Sequence, residues 1–155
     1  MTRAYLAGNE VVGVDADREA LDEAATHGIQ TVWADVEEPL PFDDDTFDVV
    51  VAAELLEHLD RPDRLMTEIR RVLRPGGTIA GSLPNAYRLK SRLQALAGRP
   101  IAQDPTHVHL FRARDVLQLL SAFQSPRLEF VVGRFVLLNR RQFANVIVFS
   151  GRKAG

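Results

Sequence analysis

Five consecutive apolar residues, Val49 to Ala53, lead from an aspartate-rich turn, Asp43 to Asp45, straight into Glu54, Glu57 and His58. An apolar run without a polar interruption predicts a parallel strand covered on both faces. Charged side chains gathered just past its carboxyl end stand where open α/β sheets bind ligands. Leu65, Met66, Ile69, Val72 and Leu73 then recur at helical spacing, after a proline, Pro62, of the kind tolerated in a first helical turn. Pro75, Gly76 and Gly77 are expected to end that helix, and Thr78 to Leu83 to form another strand.

The same rhythm precedes this cassette. Val11 to Val14 predict a strand ending at Asp15, and Asp17 is placed to cap a helix with Glu19 in its first turn, where negative charge is favoured. Ala20, Leu21, Ala24 and Ala25 give that helix an apolar stripe, Gly28 is its expected stop, and Ile29 to Ala34 form a strand ending at Asp35. Strands alternating with helices imply an α/β, doubly wound parallel sheet with right-handed crossovers. After Pro84 a helix is expected over Tyr87 to Ala97, stopped by Gly98 and Pro100, then a polar loop to Phe111. Val116, Leu117, Leu120 and Phe123 line one face of a last helix, and two apolar runs follow, Leu128 to Leu138 and Gln142 to Ser150.

A chain of 155 residues, 46% hydrophobic and 26% charged, predicts one globular domain over residues 1–155. No apolar stretch approaches the roughly 20 residues that span a bilayer, and the start lacks signal-peptide architecture. With no cysteine, disulfides, thiolate metal sites and cysteine nucleophiles are excluded, and the cytosol is the default location. The net charge of −2 conceals an asymmetry: residues 1–83 carry 7 basic and 18 acidic side chains, residues 84–155 carry 12 and 3. That balance gives no reason to expect nucleic-acid binding, although the carboxy-terminal half could present a basic surface to an anionic substrate or membrane.

The Phe47-Asp48 to Pro75-Gly76-Gly77 cassette resembles the fourth-strand region of class I S-adenosylmethionine-dependent methyltransferases, especially the small-molecule enzymes of ubiquinone and menaquinone biosynthesis. The resemblance is strongest from Val11 to Pro84 and weaker after Asn85. It implies a Rossmann-like, mostly parallel sheet whose last two strands pair antiparallel at one edge. It also implies methyl transfer from S-adenosylmethionine to a small molecule. Such transfer rests on positioning and on exclusion of water more than on covalent help.

Site residues follow position by position from that resemblance. Asp15, with Ala16 beside it, matches the acid that hydrogen-bonds the ribose hydroxyls, since a carboxylate accepts from two vicinal hydroxyls at once. Asp35, flanked by Ala34 and Val36, matches the acid beside the adenine. Glu54, between Ala53 and Leu55, stands where the methionine portion of the cofactor lies. His58 is the candidate general base, with an intrinsic pKa near working pH. Asn85 and the stretch from Asp104 to Phe111, with His107, His109 and Phe111, are the expected substrate-binding residues. No metal is expected, because His107 and His109 alone lack a third ligand. Residues 87–97 form a basic amphipathic stretch suited to contact with an anionic membrane.

The family's glycine-rich loop is not represented, because only isolated Gly8 and Gly13 precede Asp15. MTRAYLAGN is expected to be the tail of the helix after that loop, so the chain would start inside the fold without its first strand. A truncated gene product, a protein that re-pairs across the gap and a non-catalytic binding or scaffolding subunit are the alternatives. Exposed strand edges beside a missing strand would make self-association unsurprising. A nicotinamide-dependent oxidoreductase would also use an acid like Asp15, but the cassette and the lack of a Tyr-x-x-x-Lys pair speak against it.

Overall fold

A computed structural model of the chain describes residues 6–98, 104–131 and 144–155. Pro100, most of the amino-terminal segment, residues 132–138 of one apolar run and residues 142–143 of the other lie outside those ranges. The chain forms two compact units, Met1–Pro41 and Phe42–Gly155.

In the first unit, β1 (Val12–Asp15) and β2 (Gln30–Trp33) pair in parallel across α1 (Arg18–Thr26), with Asp15 opposite Trp33. Asp17 caps α1 as expected, its Oδ1 accepting from the Glu19 amide at 2.9 Å. Gly28 adopts φ +80, the left-handed conformation that ends a helix without penalty to glycine. The expected apolar stripe narrows to Leu21: Ala20 and Ala25 are exposed and Ala24 is half-buried.

The second unit holds β3 (Phe47–Ala53), a 3-10 turn (Leu56–His58), α2 (Pro62–Val72), β4 (Leu73–Pro84), α3 (Leu89–Leu96), α4 (Ala113–Leu119), β5 (Gln124–Val131) and β6 (Val146–Arg152). Its sheet runs β3-β4-β6-β5, with β3 parallel to β4 and β6 antiparallel to both β4 and β5. The antiparallel carboxy-terminal pair at one edge is therefore present. Among the described residues β1 pairs only with β2, and β3 has no strand neighbour but β4, so the two do not pair directly.

Burial alternates along the strands. Ile79, Gly81 and Leu83 of β4 stand in register with Gly151, Phe149 and Ile147 of β6, and all six are buried on one face. Leu120 and Phe123 reach the same face, where they surround Gly151. Five residues predicted for the cassette helix and its end, Leu65, Met66, Ile69, Val72 and Leu73, are at most 4% exposed. Each stabilises the fold by about 1.5–3 kcal/mol. Leu117 departs from the expected stripe of α4 and is 43% exposed.

Two expectations are corrected. The Val49–Ala53 run is not covered on both faces: Ala52 is buried, whereas Val49 is 56% and Val51 44% exposed. Only the face of β3 that carries Ala52, beside Ile79 and Gly81 of β4, joins the core, and the face that carries Val49 and Val51 is open; among the described residues β4 is the strand that β3 pairs with. Nor do Pro75 to Gly77 end the helix. α2 stops at Val72, Leu73 turns to extended backbone, and Arg74 to Gly77 form an irregularity inside β4 between the Phe47–Leu73 and Val49–Thr78 pairs. Gly76 there has φ +78, a conformation that suits glycine.

Basic side chains hold the aspartate turn before β3. Arg71 Nη1 donates to Asp44 Oδ1 at 2.9 Å and to the Phe42 carbonyl at 2.7 Å. Lys153 Nζ donates to Asp45 Oδ1 at 2.6 Å and to the Leu73 carbonyl at 2.8 Å, tying the chain end to the turn.

Candidate functional site

The first unit brings its sequence-predicted acids together. The Ala34 amide donates to the Asp15 carbonyl at 3.2 Å, so the carboxyl ends of β1 and β2 are adjacent. Asp15 Oδ1 accepts from the Asp17 amide and Asp35 Oδ1 from the Glu37 amide, at 2.9 and 3.0 Å. Both carboxylates are exposed, Ala34 is buried, and Ala16 and Val36 flank them. Trp33, which sequence reasoning did not single out, borders the same edge. Its Nε1 donates to the Ala16 carbonyl at 2.9 Å, and the Arg18 guanidinium lies 5.1 Å from the ring centroid. A lone tryptophan at a strand end was the available signal.

In the second unit, Glu54 leaves β3 with φ +50. That left-handed backbone is uncommon for a non-glycine residue, and such outliers cluster at functional sites. Its amide donates to the Ser82 carbonyl at 2.9 Å, and its Oε1 accepts from the Ser82 hydroxyl at 2.7 Å. Ala53 and Leu55 on either side are half-buried.

The expected substrate loop lies against the turn that follows. The Glu57 carbonyl accepts from the Val108 amide at 2.9 Å and the His109 amide at 3.1 Å. His58 Nδ1 is 3.2 Å from the Thr106 carbonyl and 3.1 Å from its hydroxyl. His58 and His107 meet edge-on with centroids 4.8 Å apart. His109 Nε2 reaches the Asp60 carbonyl at 3.3 Å, and its ring lies 5.7 Å from that of buried Phe111. The Thr106 hydroxyl and amide hold the Asp104 carboxyl below its usual range. Asn85 is buried, and its Nδ2 donates to the Ala144 carbonyl at 3.0 Å.

Glu57, expected at the ligand-binding edge beside Glu54 and His58 but given no role of its own, is the most unusual group here. Its side chain is 2% exposed, and neither carboxylate oxygen has a hydrogen-bond partner. Burial pushes its carboxyl up, and the Glu54 charge adds to the push. The backbone, His58 and His107 act in the opposite direction. In sequence its signal was a charged residue inside the apolar frame of Leu55, Leu56 and Leu59.

Residues 1–81 match a protein family described as a methyltransferase domain. A ubiquinone biosynthesis O-methyltransferase from Aliivibrio fischeri is 30% identical over 125 residues, covering 73% of this chain and 53% of that protein. The mitochondrial 2-methoxy-6-polyprenyl-1,4-benzoquinol methylase of Mus musculus is 45% identical over 60 residues, 39% of this chain and 18% of its own length. The chain thus spans about half the length, or less, of these curated relatives. A SAM-dependent methyltransferase from Thermotoga maritima shares the fold with a TM-score of 0.73 at 16% identity, covering 92% of this chain and 72% of that one.

Proposed function

Because the chain belongs to the methyltransferase-domain family, we propose that it acts in S-adenosylmethionine-dependent methyl transfer to a small-molecule acceptor. The observation that carries this reading is the pair of exposed carboxylates, Asp15 and Asp35, at adjacent ends of parallel strands. The donor set fits a nucleoside. Each carboxylate has about four acceptor positions, and one bond to a neighbouring amide leaves capacity for ribose hydroxyls at Asp15 and for the adenine amino group at Asp35. When bound, the cofactor supplies a methyl group on a positively charged sulfur. Glu54, fixed by Ser82, places a negative charge for the methionine portion. The loop of His107, His109 and Phe111 positions an acceptor and excludes water, and His58 is the group available to take its proton.

Partners and place belong to the same reading. α3 exposes Leu93 and Leu96 (57% and 85%) beside Lys90 and Arg92, which supports peripheral contact with anionic membranes in a cytosolic protein. No helix among the described residues is long and apolar enough to cross a membrane. Exposed Val49 and Val51 on the open face of β3 support self-association.

Methyl-labelled S-adenosylmethionine incubated with a panel of hydroxylated aromatic, carboxylate and phosphate acceptors tests the activity. Label transferred by the chain and lost in D15A supports it. Equal background from both proteins overturns it for this chain.

A further inference from the structure

The turn after β3 and the 104–111 loop bring together three side chains that neither the family match nor the fold comparison assigns. One ligand atom each from Glu57, His58 and His107 lies within 4.8 Å of the others. One of the three, Glu57, is a fully buried carboxylate with no hydrogen-bond partner on either oxygen. Buried charges are paired or coordinate metals, and the charged and titratable groups acting on this one are two imidazoles, His58 and His107, and the carboxylate of Glu54, with no lysine or arginine among them. We propose that Glu57, His58 and His107 form a site for a divalent transition-metal ion of the zinc type.

Ligand chemistry selects the ion. Two imidazoles and one carboxylate suit zinc, cobalt, nickel and iron, whereas magnesium and calcium prefer oxygen alone. Three protein ligands are also the number in zinc sites that keep a position open for water or an oxygen ligand. At metal–ligand distances of about 2.0–2.1 Å, tetrahedral ligand atoms stand roughly 3.3 Å apart. Glu57 Oε1 and His58 Nε2 are 4.0 Å apart, close enough for small side-chain rotations to complete the geometry.

The surroundings orient the ligands. The Thr106 carbonyl lies 3.2 Å from His58 Nδ1, and His58 Nε2 lies 4.0 Å from Glu57 Oε1, so an Nδ1–H bonded to Thr106 would turn Nε2 to the metal position. Such outer partners fix the tautomer of metal-binding histidines. A second carboxylate, Asp104, lies 3.8 Å from His107 Nε2. The Val108 and His109 amides both bond the Glu57 carbonyl, so the ligand-bearing segments are joined by backbone before any ion arrives. His107 and His109 lacked a third ligand in the sequence. The structure pairs His107 instead with His58 and Glu57, which lie far away in the chain.

The site draws on His58 and His107, to which it gives a metal-binding role in place of proton transfer and acceptor positioning, and its test needs no substrate, so its failure is distinguishable from a failure of methyl transfer. The chelator-treated full chain is titrated with Co2+ while visible absorption is recorded, and Zn2+ and Mg2+ are then added as competitors. The expected result is uptake of one Co2+ per chain with d–d bands, displaced by Zn2+ and not by Mg2+. E57Q and H107N should each weaken binding at least ten-fold, while H27N leaves it unchanged. If circular dichroism shows E57Q unfolded, H107N decides, because His107 sits on a loop and its replacement leaves the core intact. No one-to-one uptake, or unchanged affinity in folded H107N, overturns the proposal.

Discussion

Ser82 donates its hydroxyl hydrogen to Glu54 Oε1 at 2.7 Å while its carbonyl accepts the Glu54 amide at 2.9 Å. These two bonds join the end of β3 to β4 and hold a non-glycine residue at φ +50. Replacing the hydroxyl removes the carboxylate's partner and leaves the backbone bond. S82A should weaken S-adenosylhomocysteine binding by about five-fold, the equivalent of ~1 kcal/mol for a hydrogen bond at an accessible site. Isothermal titration reads this. An unchanged dissociation constant would mean that the orientation of Glu54 does not matter to the ligand.

Gly81 has no room for a side chain. A Cβ there would collide with the Ala52 carbonyl on one neighbouring strand and the Phe149 ring on the other. Both neighbours belong to the buried face, so neither can move away cheaply. G81A should cost roughly 1–3 kcal/mol and lower the Tm by on the order of 3–10 °C. Urea titration monitored by circular dichroism checks it.

Glu57 predicts a pH dependence of stability. Its unfolded carboxyl titrates near 4.5, and burial raises the folded value. Between the two, the folded state still holds a proton that the unfolded state has released. Stability therefore falls as pH rises through that window and is level below it. Glu54, His58 and His107 face the same carboxyl, so the informative quantity is the difference between wild type and E57Q, in chelator. E57Q should gain stability relative to wild type as pH rises above about 4.5. A difference that stays flat with pH would show that the carboxyl titrates normally.

Much of this was legible in the sequence, for local reasons. Asp17 capping α1, Gly28 stopping it and the helical spacing from Leu65 to Val72 are encoded within a few residues, and each is observed. The position of Asp15 at the end of β1 and of Asp35 just past β2 was legible because a strand end is a local signal. What the sequence hid depends on neighbours far along the chain. Val49 and Val51 read as buried because apolarity alone does not reveal that only one face of β3 is covered. Pro75 to Gly77 read as a helix stop, yet Leu73 had already turned and the glycines relieve an irregular register with β3. Glu57 and His107 come together only through backbone bonds between distant segments, which no spacing rule anticipates.

Asp15 separates cofactor binding from folding. Its side chain is exposed, and among the described residues its carboxylate accepts only from the nearby Asp17 amide. D15A should change the Tm of the unliganded chain by no more than a degree or two, since exposed substitutions usually stay within about 0.5 kcal/mol. It should nevertheless weaken S-adenosylhomocysteine binding at least ten-fold, because the ribose hydroxyls lose a charged acceptor. Equal affinities in the two proteins would remove Asp15 from the cofactor site.

The most direct test of the central claim is a thermal melt of the chain with and without excess S-adenosylhomocysteine. At about 100 times its dissociation constant, a ligand of the folded state adds roughly 2.7 kcal/mol. A cooperative melt raised by on the order of 5–10 °C is the expected result. A cooperative melt that does not move at saturating ligand would contradict the account, leaving a methyltransferase fold that does not bind the methyltransferase cofactor.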